Sequence, residues 1–128
     1  SAVLRDILDT PVSPELLPAD GEKIVQKTED LVGPYELHDF FLYYLLRYGF
    51  TPEKIFRMAC YAFRGEYDEK TVAHWLKRCC QRFFTQQYKR SCMPDGPMIG
   101  PLSLSPRSAW RMPSDCWRTA WDQALEAL

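Results

Sequence analysis

The chain has 128 residues, 46% of them apolar and 26% charged, with a net charge of −1. That length holds at most one small domain, and the apolar content excludes disorder of the whole chain. No long apolar run and no secretory leader pattern is seen, so a membrane-spanning helix has no candidate and a cytoplasmic protein is expected.

The small net charge conceals an asymmetry: residues 1–69 carry −6 and residues 70–128 carry +5. A basic half suits an anionic partner, or is simply a solvated surface of uneven charge. The five cysteines are odd in number, with Cys79 and Cys80 adjacent and no framework spacing, which reads as reduced thiols.

Val3, Leu4, Ile7 and Leu8 predict the end of a helix that stops before Pro11. Residues 10–33 read as a loop punctuated by Pro11, Pro14, Pro18 and Gly21. Gly33-Pro34 then opens a helix with Leu37, Phe40, Phe41, Tyr44, Leu45 and Tyr48 on one face. Leu42 and Leu46 widen that face, and Gly49 closes the helix. Thr51-Pro52 starts another, with Ile55, Met58, Ala59, Ala62 and Phe63 as its face and Gly65 as its stop.

A fourth helix is predicted from near Asp68 to about Tyr88, with Val72, Trp75, Leu76, Cys79 and Phe83 as its stripe. Lys77, Arg78 and Arg82 lie mostly off that stripe. Residues 91–113 read as an extended loop, yet they carry Met93, Met98, Ile99, Leu102, Leu104 and Trp110, which should pack on a surface. Residues 114–128 predict a terminal helix capped by Ser114, with Trp117, Trp121, Ala124 and Leu128 on one face. No strand and no internal repeat is predicted. The fold class is mainly α with long loops, a single unit over residues 1–128.

Lys89-Arg90-Ser91 stands where the basic helix enters the loop. The cations either complement the helix dipole or bind an anion, lysine as a point charge and arginine as a fork. A metal site is poorly supported, because His74 and Cys79 are five apart, no Cys-x-x-Cys pair exists, and His38 has ordinary helical neighbours. Cys79 on the apolar stripe reads as a buried structural thiol rather than a nucleophile. Phe84, Tyr88 and Trp75 beside the basic face offer a weak case for single-stranded nucleic acid, and Trp75 is already on the core stripe.

Two blocks are more specific than any of these: Gln87-Tyr88-Lys89-Arg90-Ser91-Cys92-Met93-Pro94-Asp95-Gly96-Pro97 and Leu104-Ser105-Pro106-Arg107-Ser108-Ala109-Trp110-Arg111-Met112-Pro113-Ser114-Asp115. Together they resemble the C-terminal end of bacterial glutamine-dependent NAD synthetases. The similarity extends to Val12-Ser13-Pro14-Glu15-Leu16-Leu17-Pro18, to Gly33-Pro34-Tyr35-Glu36-Leu37-His38-Asp39-Phe40, to Leu46-Arg47-Tyr48-Gly49-Phe50 with Lys54-Ile55, and to Arg82-Phe83-Phe84.

The resemblance implies a ligase with two catalytic parts. A nitrilase-like domain releases ammonia from glutamine. A Rossmann-like α/β synthetase domain of the ATP-pyrophosphatase type, with ATP and Mg2+, adenylates deamido-NAD, and ammonia displaces AMP to give NAD. The Ser-Gly-Gly-x-Asp-Ser loop of that chemistry and the glutaminase Glu-Lys-Cys machinery do not occur in residues 1–128. The chain is therefore expected to be a helical C-terminal fragment, inactive alone and holding no cofactor, as its start at Ser1 also suits. Its expected partners are deamido-NAD and the remaining domains, in a homo-oligomeric whole enzyme.

By position, Lys89 matches the lysine that contacts deamido-NAD, and Ser13 matches a small hydroxyl in the loop closing over ATP and substrate. Ala109 stands where the family usually has aspartate facing the synthetase site, and Met98 where it has lysine. Those departures put full activity in question and leave a second reading open, a free-standing helical interaction module without catalysis.

Overall fold

The computed structural model describes residues 2–10, 28–107 and 109–128. They form two compact units, Ser1–Tyr35 and Glu36–Leu128. All regular structure among the described residues is helical.

The first unit holds α1 (Ala2–Asp9) and α2 (Thr28–Val32). Helix α1 ends where expected, with the Thr10 hydroxyl donating to the Asp6 carbonyl at 2.8 Å. The short α2 lies inside the segment read as loop. Its first turn carries Glu29 and Asp30, which suit a helix N-terminus. The Gly33 N–H closes it on the Glu29 carbonyl at 2.8 Å.

The second unit is built on α3 (Tyr35–Tyr48, entering it at Glu36), α4 (Pro52–Ala62), α5 (Glu69–Thr85), α6 (Gln87–Ser91) and α7 (Thr119–Glu126). Helix α3 buries Leu37, Phe41 and Leu45, the centre of its predicted face, while Tyr48 stays exposed. It ends at Gly49, whose φ of 63° is left-handed and whose N–H reaches the Leu45 carbonyl at 2.9 Å. Thr51 and Pro52 open α4 as predicted, without a side-chain cap bond from Thr51. The buried face of α4 is rotated from the predicted one. Pro52, Ile55 and Ala59 are buried and Phe56, Cys60 and Phe63 pack beside them, whereas Ala62 faces solvent. Gly65, at φ 94°, turns the chain toward α5.

Helix α5 is the centre of the unit. Asp68 caps it by accepting the Thr71 N–H at 2.8 Å. Val72, Leu76, Cys79, Cys80, Phe83 and Phe84 are buried along it, against α4 and α7. Each fully buried leucine- or phenylalanine-sized side chain contributes about 1.5–3 kcal/mol, so this stripe dominates the core. Phe40 of α3 meets Phe63 at 5.5 Å, and Phe84 meets Trp121 of α7 at 5.1 Å.

Two boundaries differ from the sequence reading. The fourth helix breaks at Gln86, whose N–H still reaches Arg82 O, and resumes as α6. The last helix begins at Thr119, after Arg118, not at Ser114. The Ser114 hydroxyl lies 3.4 Å from that of Ser91, so it joins the tail to α6 and caps nothing. Trp117 consequently lies outside the helix and is 88% exposed.

Candidate functional site

Helix α6 carries the cations singled out in the sequence, and its two faces differ sharply. Gln87 continues the α5 stripe one turn beyond Phe83 and is fully buried. Its Nε2 donates to the Met112 carbonyl at 2.9 Å, and its Oε1 accepts the Arg90 Nε–H at 2.9 Å. The Arg90 guanidinium lies over the Phe83 ring, 4.6 Å from its centroid, and donates to the Phe83 carbonyl. Burial lowers the Arg90 pKa from its ordinary value. The group stays charged at neutral pH, because an arginine starts above 12.

Tyr88 and Lys89 lie on the opposite side of α6, both exposed. The adjacent cations therefore have different fates. Arg90 is half-buried and held by Gln87 and Phe83, and Lys89 presents its ammonium to solvent, where it can meet an anion as a point charge.

The segment after α6 runs back over this region. Trp110 packs edge-on against Phe83 at 5.7 Å, and Leu104 and Met112 join the core margin. The N–H groups of Ala109 and Trp110 both reach the Ser105 carbonyl at 3.1 Å. Arg107 pairs with Asp95 at 3.1 Å and donates to the Met93 carbonyl. The Trp110 indole N–H is buried with no acceptor among the described residues. Of the apolar residues expected to pack, Leu104 and Trp110 do so, while Met98 is 56% and Ile99 97% exposed. Ala109 is exposed too. Ser13 lies outside the described residues.

The other sequence candidates fall into place around the core. Cys79 is buried, and burial pushes its thiol up to about 12. Trp75 and Phe84 pack into the core, leaving Tyr88 as the exposed ring of the three. Lys77 and Arg78 share a groove of about 480 Å³ with Asp122 and Glu126 of α7, so carboxylates face part of the basic surface. No group of three His, Cys, Asp or Glu side chains could hold a metal among the described residues. No helix among them is long and apolar enough to cross a membrane.

The residues that sequence reasoning missed are Gln87 in its buried role and Arg90, half-buried against Phe83. The available signal was spacing: Gln87 follows Leu76, Cys79, Cys80 and Phe83 at stripe positions, a polar side chain where an apolar one is expected.

The chain is 41% identical over 142 aligned positions to the glutamine-dependent NAD(+) synthetase of Mycobacterium leprae, covering 97% of this chain and 21% of that protein. It is 40% identical over 137 positions to the enzymes of the same name from Mycobacterium bovis and Mycobacterium tuberculosis, covering 93% of this chain and 20% of each. The chain thus spans about a fifth of the length of the curated relatives it matches, and the resemblance read from the sequence holds over almost all of its own length. No family model matches it.

Proposed function

We propose that this chain is the C-terminal part of the synthetase domain of a cytoplasmic, glutamine-dependent NAD synthetase, and that it contributes Lys89 to the deamido-NAD site. The observation that carries the reading is identity of 41% across 97% of the chain to an enzyme of that name. The exposed ammonium of Lys89, beside an arginine turned inward, supports its role.

The chemistry asked of Lys89 is electrostatic. A fixed cation offsets charge on the substrate carboxylate and on the adenylated intermediate, and it does most where water is excluded. The whole enzyme would use ATP and Mg2+, held by parts outside this chain, and release ammonia from glutamine in a separate domain. Ser13 is assigned to the loop over ATP and substrate by resemblance alone. Alone, the chain would be inactive. The Rossmann-like sheet would be supplied by the remainder of the synthetase domain, as would the surfaces for homo-oligomer formation.

The test is Lys89→Ala in the complete enzyme, assayed for NAD formation and for glutamine hydrolysis. NAD formation is expected to fall by about 10²-fold, the scale of one lost transition-state contact, with glutaminase activity retained. Unchanged NAD synthesis would remove Lys89 from the site.

A further inference from the structure

The five-residue helix α6 is too short to hold its own geometry, since isolated helices need roughly 12–15 residues even to be marginal. Its orientation must come from tertiary anchors. The anchors on the page are Gln87, joined to Met112 O and Arg90, and Arg90, joined to Phe83 by its ring and its carbonyl. The Ser91 hydroxyl, bonded to Gln87 O at 3.3 Å and facing Ser114, closes the last turn.

We infer that Gln87 and Arg90 are positioning residues that set the rotation of α6 and so aim Lys89. This rests on the substrate-site reading of Lys89. Successive helical residues are about 100° apart, so a rotation by one position would carry Arg90 outward and move Lys89 off its direction. The buried amide opposes that rotation because it would strand the Gln87 amide and the Met112 carbonyl without partners. An apolar side chain would fill the Gln87 position without fixing any angle. A buried polar contact can specify one arrangement over its neighbours, as in some coiled coils. The same contacts tie the half-buried guanidinium of Arg90 to Gln87 and Phe83, so a substrate anion meets the exposed ammonium of Lys89 beside a fork that is already engaged.

The test uses the complete enzyme with Gln87→Met, which keeps volume and removes both hydrogen bonds, and Arg90→Lys, which keeps charge and removes the fork. Each is measured for KM of deamido-NAD, KM of ATP, kcat and glutaminase activity, alone and combined with Lys89→Ala. The expected result is a roughly tenfold loss in kcat/KM for deamido-NAD with ATP KM and glutaminase activity within about twofold. Added to Lys89→Ala, either change is expected to cost less than about twofold more. Full multiplication of the two losses, or wild-type kinetics in either folded variant, overturns the positioning role. Should Gln87→Met not fold, Arg90→Lys decides alone. A silent Lys89→Ala fails the functional reading itself and is distinguishable from both outcomes.

Discussion

Replacing Phe83 by leucine tests whether ring contacts or mere volume hold the C-terminal segment to α5. Phe83 is buried and sits among three ring partners: Phe84 at 5.5 Å, Trp110 at 5.7 Å, both edge-on, and the Arg90 guanidinium at 4.6 Å. Aromatic pairs contribute about 0.5–1.5 kcal/mol each beyond area, and a partly exposed cation over a ring about 0.5–1. Leucine keeps most of the burial, so the expected loss is the ring share, about 2–3 kcal/mol. For the 93 residues of Glu36–Leu128 that corresponds to roughly 10–20 °C in Tm. The control is Phe41→Leu, at a site equally buried whose ring neighbour is His38, at 6.4 Å. Thermal unfolding followed by circular dichroism gives both losses, and limited proteolysis across residues 92–113 reads release of the segment. Phe83→Leu should cost at least about twice as much as Phe41→Leu and expose the segment to protease. Equal losses with an equally protected segment would refute the assignment of the anchor to the ring contacts.

Three further outcomes follow from titratable groups. Cys79 and Cys80 are buried and their thiols are pushed up by burial, whereas Cys92 and Cys116 are exposed. Iodoacetamide at pH 8 is therefore expected to label Cys92 and Cys116 in the folded chain and to reach Cys79 and Cys80 only after denaturation, as read by mass spectrometry. The fold holds these buried thiols protonated while the unfolded chain ionises them from about pH 8.5, so stability should fall as pH rises from there toward 12. Alkaline melts that match those of a Cys79→Ala, Cys80→Ala variant would contradict this. Hydrogen bonding from Thr71 holds the Asp68 carboxyl below its usual range, so its cap stabilises above about pH 4 and is lost as pH falls through the lowered value. Asp68→Ala should melt a few degrees lower at pH 7, with the gap closing in acid; a gap independent of pH would refute the cap.

Much of this fold was legible because the stripe residues obey helical spacing over long segments. Leu37, Phe41 and Leu45, and then Val72, Leu76, Cys79 and Phe83, were readable as buried faces and are buried. Gly49 and Asp68 marked ends that local chemistry enforces. What periodicity could not give is the outcome of competition between local and distant partners. Ser114 has the side chain of an N-cap, but its hydroxyl sits against Ser91, and α7 starts five residues later. The break at Gln86 is equally invisible, since the helical pattern reads on through it to about Tyr88. At the candidate site, Lys89 and Arg90 look interchangeable in sequence. Only the placement of Phe83 and Gln87 beneath Arg90 separates a cation turned inward from one turned outward.

That separation also bears on Ala109 and Met98, where the family resemblance implies an aspartate and a lysine. Ala109 and Met98 are exposed, and the turn at Ala109 is held by backbone hydrogen bonds to Ser105 that do not depend on the side chain. Exposed substitutions of this kind usually change stability by about 0.5 kcal/mol or less. The contacts that shape α6, from Gln87, Arg90, Phe83 and Met112, do not involve either position. An aspartate at 109 or a lysine at 98 would therefore change the surface charge while leaving the contacts that hold α6 in place. On the proposed reading these two positions bear on substrate affinity and rate, while folding of this segment is indifferent to them.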